Sequence, residues 1–212
     1  MTVKSTAKMS QKTKQRREMI LSAALELFLK NGYENTSLGD IIAISGGSLS
    51  SVYSLFGGKD GLFHAIIERG VSEFVAGVRR GVEAHENAEL REFLTAFANA
   101  YVQMAFEHES LAIKRLIVSE SFKQNMSVIK IFHEHGVIPL HAILTDYFAR
   151  SPKTVGMSEE EANLAAFRFC LILEEPIAYR IEVLGEKIFT TEGEKRAWVK
   201  NCVNFFLKGI GE

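Results

Sequence analysis

Apolar residues recur along almost the whole chain at intervals of three and four, the period of helices with one buried face. Between Glu18 and Lys30, Ile20, Ala24 and Phe28 fall on one line and Leu21, Leu25 and Leu29 on the next. Asn31-Gly32 stops this run, glycine being the usual residue where a helix must end left-handed. Ser37, with Asp40 three residues on, has the form of a capping box and opens a short helix carrying Ile41, Ile42 and Ile44. Ser45-Gly46-Gly47 ends it, and Ser48 caps a second short helix with Leu49, Val52, Leu55 and Phe56, closed by Gly57-Gly58. From Asp60 to about Arg79, Leu62, Phe63, Ile66, Ile67, Val71, Phe74 and Val78 predict a long connecting helix. Further amphipathic runs follow through Leu90 to Met104, Leu111 to Ile117 and Val137 to Tyr147. Capping boxes at Ser158 to Glu161 and Thr191 to Glu194 open two last helices at about residues 159 and 192, the first kinked at Pro176. Alternating strand patterns are scarce. The expected fold is all-α: an N-terminal three-helix unit over 16–62, a larger helical domain over 63–212, and residues 1–15 as a basic arm.

Composition sharpens this picture in a few places. A hydrophobic content of 47% over 212 residues supports a real buried core. The formal net charge of -1 removes any argument from overall charge for nucleic-acid or membrane binding. Its distribution is uneven, because Lys4, Lys8, Lys12, Lys14, Arg16 and Arg17 all precede the first acid, Glu18. A localised positive end suits a phosphate partner. Cys170 and Cys202 lie in apolar helical stretches without CxxC spacing and read as buried thiols of a reducing cytosol. No apolar run reaches the roughly 18 residues of a membrane span, and the positive N-terminus lacks a signal peptide's apolar core. A cytoplasmic protein with no membrane partner is expected.

The candidate chemistry concentrates in residues 36–60. A short helix, a tight glycine turn and a second short helix have helix-turn-helix proportions, in which the second helix can enter a major groove while the first crosses the backbone. The exposed positions of the second are Ser50, Ser51 and Ser54. Thr36 and Ser37 stand at one helix start, Ser48 at the next and Lys59 at a third, where free backbone N–H groups attract anions. Just after the arm, Arg16 and Arg17 are the candidates for DNA contact. His133 and His135 make a poor metal pair, since residues two apart on a helix point in roughly opposite directions. Glu174 and Glu175 are adjacent, and their divergence argues against acid–base work. Gly57-Gly58-Lys59-Asp60 lacks both the first glycine and the Ser or Thr of a phosphate loop. No metal, cofactor or catalytic residue is expected.

The run from Thr36 to Leu62 resembles the DNA-binding signature of the TetR family, and Ile20 to Phe28 with Asn31-Gly32-Tyr33 resembles that family's first helix and the turn after it. The match extends from residue 16 to about residue 70. The resemblance implies that Tyr53, Lys59, Thr36 and Ser48 hold DNA phosphates, while Leu49, Ser50 and Ser51 face base edges. Gly47 stands where the family usually has valine and Ile42 where it often has alanine. The second helix also lacks any Lys, Arg or Asn for bidentate base contacts. Serine hydroxyls can contact any base and Leu49 a thymine methyl, so DNA shape is expected to carry much of the specificity.

Farther along, Arg115 to Phe122, Phe132 to Gly136 and Leu140 to Phe148 are similar to the AefR-like class of C-terminal domains. The family likeness implies an effector pocket there and a four-helix dimer interface through the last two helices. Tyr101, Gln103, His108, Arg115, Ser119, His135 and His141 lie among apolar residues, which is costly in a sealed core and natural in a ligand cavity. The expected walls are Phe97, Tyr101, Met104, Leu116, Phe122, Phe132 and Tyr147, with Arg115, Ser119, His108 or His135 supplying polarity. Phe169, Leu173, Val199, Cys202, Val203, Phe205 and Phe206 are expected at the dimer face, because they offer more apolar surface than a small domain needs internally. The function indicated is a ligand-responsive repressor, a homodimer on palindromic operator DNA that a small apolar or aromatic effector releases. The alternatives are a constitutive DNA-binding or interaction module without a ligand, and a small all-helical enzyme, for which no nucleophile–base pair or metal cluster is visible.

Overall fold

The computed structural model describes residues 10–182 and 184–211. Its helices are α1 (Gln11–Asn31), α2 (Leu38–Ser45), α3 (Leu49–Phe56), α4 (Lys59–Val82), α5 (Leu90–Ala105), α6 (His108–Phe122), α7 (Met126–Phe132), α8 (Ile138–Phe148), α9 (Glu159–Glu182) and α10 (Glu192–Gly209). A π-helical turn, His133–Val137, joins α7 to α8. No strand occurs among the described residues, and no helix among them is long and apolar enough to cross a membrane.

The starts of α1, α2, α3, α9 and α10 follow hydroxyl caps. Ser37 Oγ accepts from the Asp40 N–H at 3.1 Å while the Asp40 carboxylate accepts from the Ser37 N–H at 2.9 Å. The same reciprocal pair forms at Ser158 with Glu161 and at Thr191 with Glu194. At the N-terminus Ser10 Oγ accepts from the Thr13 N–H at 3.2 Å, so α1 starts seven residues before the expected Glu18. Lys, Gln and Arg are good helix formers, and the cap carries the helix through Gln11 to Gln15, which the arm assignment had included. Residues 1–9 of that arm lie outside the described residues.

Two apolar clusters form the interior. The first joins α1, α2, α3 and the N-terminal half of α4 through Ile20, Leu21, Ile41, Val52, Leu62 and Ile66, and it also takes in Ile113, Leu116 and Ile117 of α6 and Val128 of α7. The second joins the C-terminal half of α4 to α5, α8, α9 and α10. The two buried clusters meet within α4, between Val71 and Val75, beyond the boundary at residue 62 that the sequence pattern predicts. α5 approaches α4 closely because a Cβ on Gly81 would lie 2.3 Å from Ala100 Cβ. α9 continues past Pro176. Proline has no N–H to give the Ile172 carbonyl, and α10 makes use of that stretch: Cys202 Sγ donates to Ile172 O at 3.6 Å and Trp198 Nε1 to Leu173 O at 3.1 Å.

Candidate functional site

The turn between α2 and α3 needs its glycines. Gly46 and Gly47 have φ values of 70° and 97°, a region that a valine at position 47 would enter only under strain. Arg16 closes this turn from α1: its Nη1 donates to Ser45 O at 3.2 Å. Arg17 lies 5.6 Å over the Phe56 ring and pairs with Glu18 at 3.3 Å. Ser48 Oγ caps α3 by accepting from the Ser51 N–H at 3.2 Å, and Val52, fully buried, anchors that helix to the core. The opposite positions are open: Leu49, Ser50, Ser54 and Tyr53, the last 59% exposed, stand free on α3. Ile44, which the sequence reading treated as helix-forming apolar residue only, is exposed at the end of α2.

Lys59, at the first position of α4, donates to Glu34 O at 3.3 Å and sits 4.3 Å above the Tyr33 ring. Tyr33 itself donates to the Asp60 carboxylate, and burial together with that acid raises its phenol well above the ordinary range. Ser37 is engaged as the α2 cap and remains exposed. Thr36 requires a correction. It is 1% exposed, and its hydroxyl donates to Leu27 O at 3.2 Å and Gly32 O at 2.8 Å. An inward hydroxyl that satisfies carbonyls at the end of α1 has no reach to a phosphate.

A cavity of about 380 Å³ opens where α4, α5, α6, α8, α9 and the π turn meet. Phe74 of α4, Tyr101 of α5, Phe132 of α7 and Phe167 of α9 bring four rings to it. Gly136 in the π turn is buried, and a Cβ there would lie 3.4 Å from both Phe132 and Val71, so the turn can press close to α4. Lys114 Nζ pairs with Glu174 Oε1 at 2.6 Å, joining α6 to α9 across the cavity, and Tyr101 donates its hydroxyl to the same carboxylate. Burial, helped by Glu174, raises the Tyr101 phenol well above its ordinary value, so it stays a donor. Burial also raises the Cys170 thiol and lowers the His141 imidazole, both on the cavity wall.

Of the expected walls, Tyr101 and Phe132 line this cavity. Phe97 is fully buried in the second core against Phe169, and Met104 fills the space beside Gly77. Tyr147 stacks on Phe93 at 3.7 Å and donates to Ala88 O at 2.7 Å. Leu116 belongs to the first core, and Phe122 is 85% exposed. His108, Arg115 and Ser119 are exposed and off the cavity, and His135 lies off it near Glu68 at 3.9 Å. Sequence reasoning missed Phe74, Lys114, Phe167, Glu174 and Glu175 as lining residues. The nearest signal was that Lys114 recurs with Ile113 and Ile117 on one side of α6, while the chosen Arg115 and Ser119 lie on another.

The expected dimer face is also corrected. Phe169, Leu173, Val199, Cys202, Val203 and Phe206 are buried in the chain's own second core, and of that set only Phe205, at 66%, is exposed. The regular apolar stripe of each helix faces inward because α5 and α8 lie against it. The apolar residues left outside on these helices include Leu164, Phe167, Leu171 and Phe205.

Comparison with known proteins agrees with this geometry. Residues 20–66 match the model for bacterial regulatory proteins of the tetR family, and residues 92–209 match that for the AefR-like transcriptional repressor C-terminal domain. The chain is 32% identical over 88 residues to the HTH-type transcriptional repressor ComR of Escherichia coli (strain K12), covering 40% of this chain and 42% of ComR. Over 96 residues it is 31% identical to the HTH-type transcriptional activator FasR of Mycolicibacterium smegmatis, covering 45% of this chain and 42% of FasR. The chain thus aligns with less than half the length of these curated relatives. Among solved structures, the flavonoid-responsive regulator FrrA is 25% identical with a TM-score of 0.70, covering 92% of this chain and 97% of that one. A TetR-family regulator from Mesorhizobium loti MAFF303099 shares the fold with a TM-score of 0.80 at 19% identity, covering 94% of this chain and 98% of that one.

Proposed function

We propose, from the premise that this chain belongs to the TetR family of bacterial regulatory proteins, that it is a cytoplasmic homodimeric repressor of operator DNA released by a small aromatic effector. The observation that carries this reading is where the cavity sits. It lies on the seam between the two cores, and α6, which forms one wall, belongs by its buried residues to the core that holds α3. A molecule that enters must push on α6 or α4, and α4 packs both on α6 and on the reading helix α3. Tyr53, Ser48 and Lys59 then hold phosphates, while Leu49, Ser50 and Ser54 meet the groove; contacts to phosphate position the protein and base edges specify the site. The second copy packs against the outer faces of α9 and α10 around Leu164 and Phe205, which sets the half-site spacing a palindromic operator needs. FrrA, a flavonoid-responsive regulator, supports an aromatic occupant.

The test selects operator fragments from random duplexes with the purified chain, then measures binding by fluorescence anisotropy with and without candidate effectors. A bound effector is expected to weaken DNA binding by a factor in the range of about 5 to 150, with DNA weakening effector binding equally. Effector binding that leaves DNA affinity untouched reduces the protein to a constitutive binder, and failure to select any duplex removes the DNA-binding reading itself.

A further inference from the structure

We infer that the cavity takes a singly cationic aromatic molecule, an amine or amidine on a small fused-ring frame, in preference to an aromatic or fatty carboxylic acid; this rests on reading the cavity as the effector site. The charge lining it is unbalanced. Two carboxylates, Glu174 and Glu175, face one ammonium, Lys114. Lys114 is already engaged by Glu174 at 2.6 Å, and the other oxygen of Glu174 accepts from Tyr101. An incoming carboxylate would therefore compete with Glu174 for the same ammonium and stand beside Glu175, with desolvation opposing it as well. A cation meets the reverse situation. Glu175 lines the cavity and is exposed, so its carboxylate can turn toward an incoming cation, and Phe74, Tyr101, Phe132 and Phe167 line it with rings whose faces attract positive charge.

The other ionisable group on the wall does not restore the balance. Burial holds His141 toward its neutral form, and its ring lies against Phe167 at a centroid distance of 5.9 Å. The volume of about 380 Å³ stands at the small end of the roughly 300 to 1,000 Å³ common for ligand cavities, which limits the frame to a few rings.

The experiment uses three probes on one ring system: (2-naphthylmethyl)trimethylammonium, 2-naphthaleneethanol and 2-naphthaleneacetate, each titrated calorimetrically into the full chain at neutral pH. The ammonium is expected to bind about tenfold or more tightly than the acetate, with the alcohol between them. Glu175→Gln is expected to weaken the ammonium several-fold and to leave the alcohol unchanged, and retained alcohol binding shows that the variant is folded. Acetate binding as tight as ammonium binding, or an ammonium affinity indifferent to Glu175→Gln, overturns the inference while alcohol binding leaves the cavity reading in place. If none of the three binds, the inference and the effector-site reading fall together.

Discussion

The reading head and the cavity-bearing half are built from the same kind of helix, yet they treat polar groups in opposite ways. In the head, the Thr36 hydroxyl is turned inward onto two carbonyls and the apolar residues Ile20, Ile41, Val52 and Leu62 close without exposure, so its chemistry is confined to the outer surface. In the other half, Tyr101 and Lys114 each bond to the Glu174 carboxylate across an interior space. A surface site needs a rigid core behind it. An interior site needs a core that is incomplete. α6 belongs to both, since its apolar residues pack with the head while Lys114 reaches α9, and Arg69 of α4 forks between Glu18 of α1 at 3.0 Å and Glu109 of α6 at 2.8 Å. The head and α6 are thereby tied more firmly to each other than either is to α9.

The largest effect expected from this contrast is on stability. Ile67→Ala in the sealed head should cost about 2–5 kcal/mol, because the surrounding helices cannot collapse onto the void. Leu171→Ala, which removes part of an exposed cavity wall, should cost well under about 2 kcal/mol. Urea denaturation of the two variants measures both, and equal losses would erase the distinction between a complete and an incomplete core.

Thr36→Val is next. It leaves the carbonyls of Leu27 and Gly32 without their donor and should destabilise the protein by about 1–3 kcal/mol. The dependence of DNA affinity on salt should not change, since no phosphate contact is lost. Lys59→Ala should do the converse, lowering the slope of log affinity against log salt by about 0.9 for each phosphate it neutralises. A salt slope that responds to Thr36→Val and ignores Lys59→Ala would reverse the two assignments.

A smaller effect concerns the tie through α6. Replacing Arg69 with Met frees Glu18 and Glu109 from their shared partner. The reciprocal coupling between effector and DNA, taken from anisotropy titrations, should fall by about 0.5–2 kcal/mol while each ligand still binds alone. Unaltered coupling would show that apolar packing of α6 on the head suffices.

The smallest effect is a pH dependence. Glu120 is raised by burial, yet its bonds from Lys123 and Asn125, each 2.8 Å, outweigh this and hold it below its ordinary 4.5. A depressed folded value means that its contribution to stability is present above the unfolded value and is lost as pH falls through the folded one. Acid titration of stability should therefore lose one weak step below about pH 4.5 in Glu120→Gln. Identical acid profiles for the two proteins would remove that role.

The amino-acid sequence by itself determined the hydroxyl-capped helices and the helix-turn-helix, since these depend on hydroxyls, glycines and apolar spacing within a few residues of one another, whereas α7 and the π turn after it carry no such local signal. Ser37 with Asp40, Thr191 with Glu194 and the turn at Gly46 and Gly47 behave as short-range chemistry requires. It could not decide which polar residue faces a void, because that depends on helices distant in sequence. Lys114 and Glu174 are sixty positions apart and meet only when α6 and α9 do, while Arg115, equally polar on paper, turns to solvent. The same holds for apolar residues. Phe169 and Phe167 are two positions apart on α9, and packing of α5 and α10 against one side buries the first and leaves the second exposed at the cavity and the outer face. Local pattern sets the period of a helix, and only the neighbouring helices set which way it is turned.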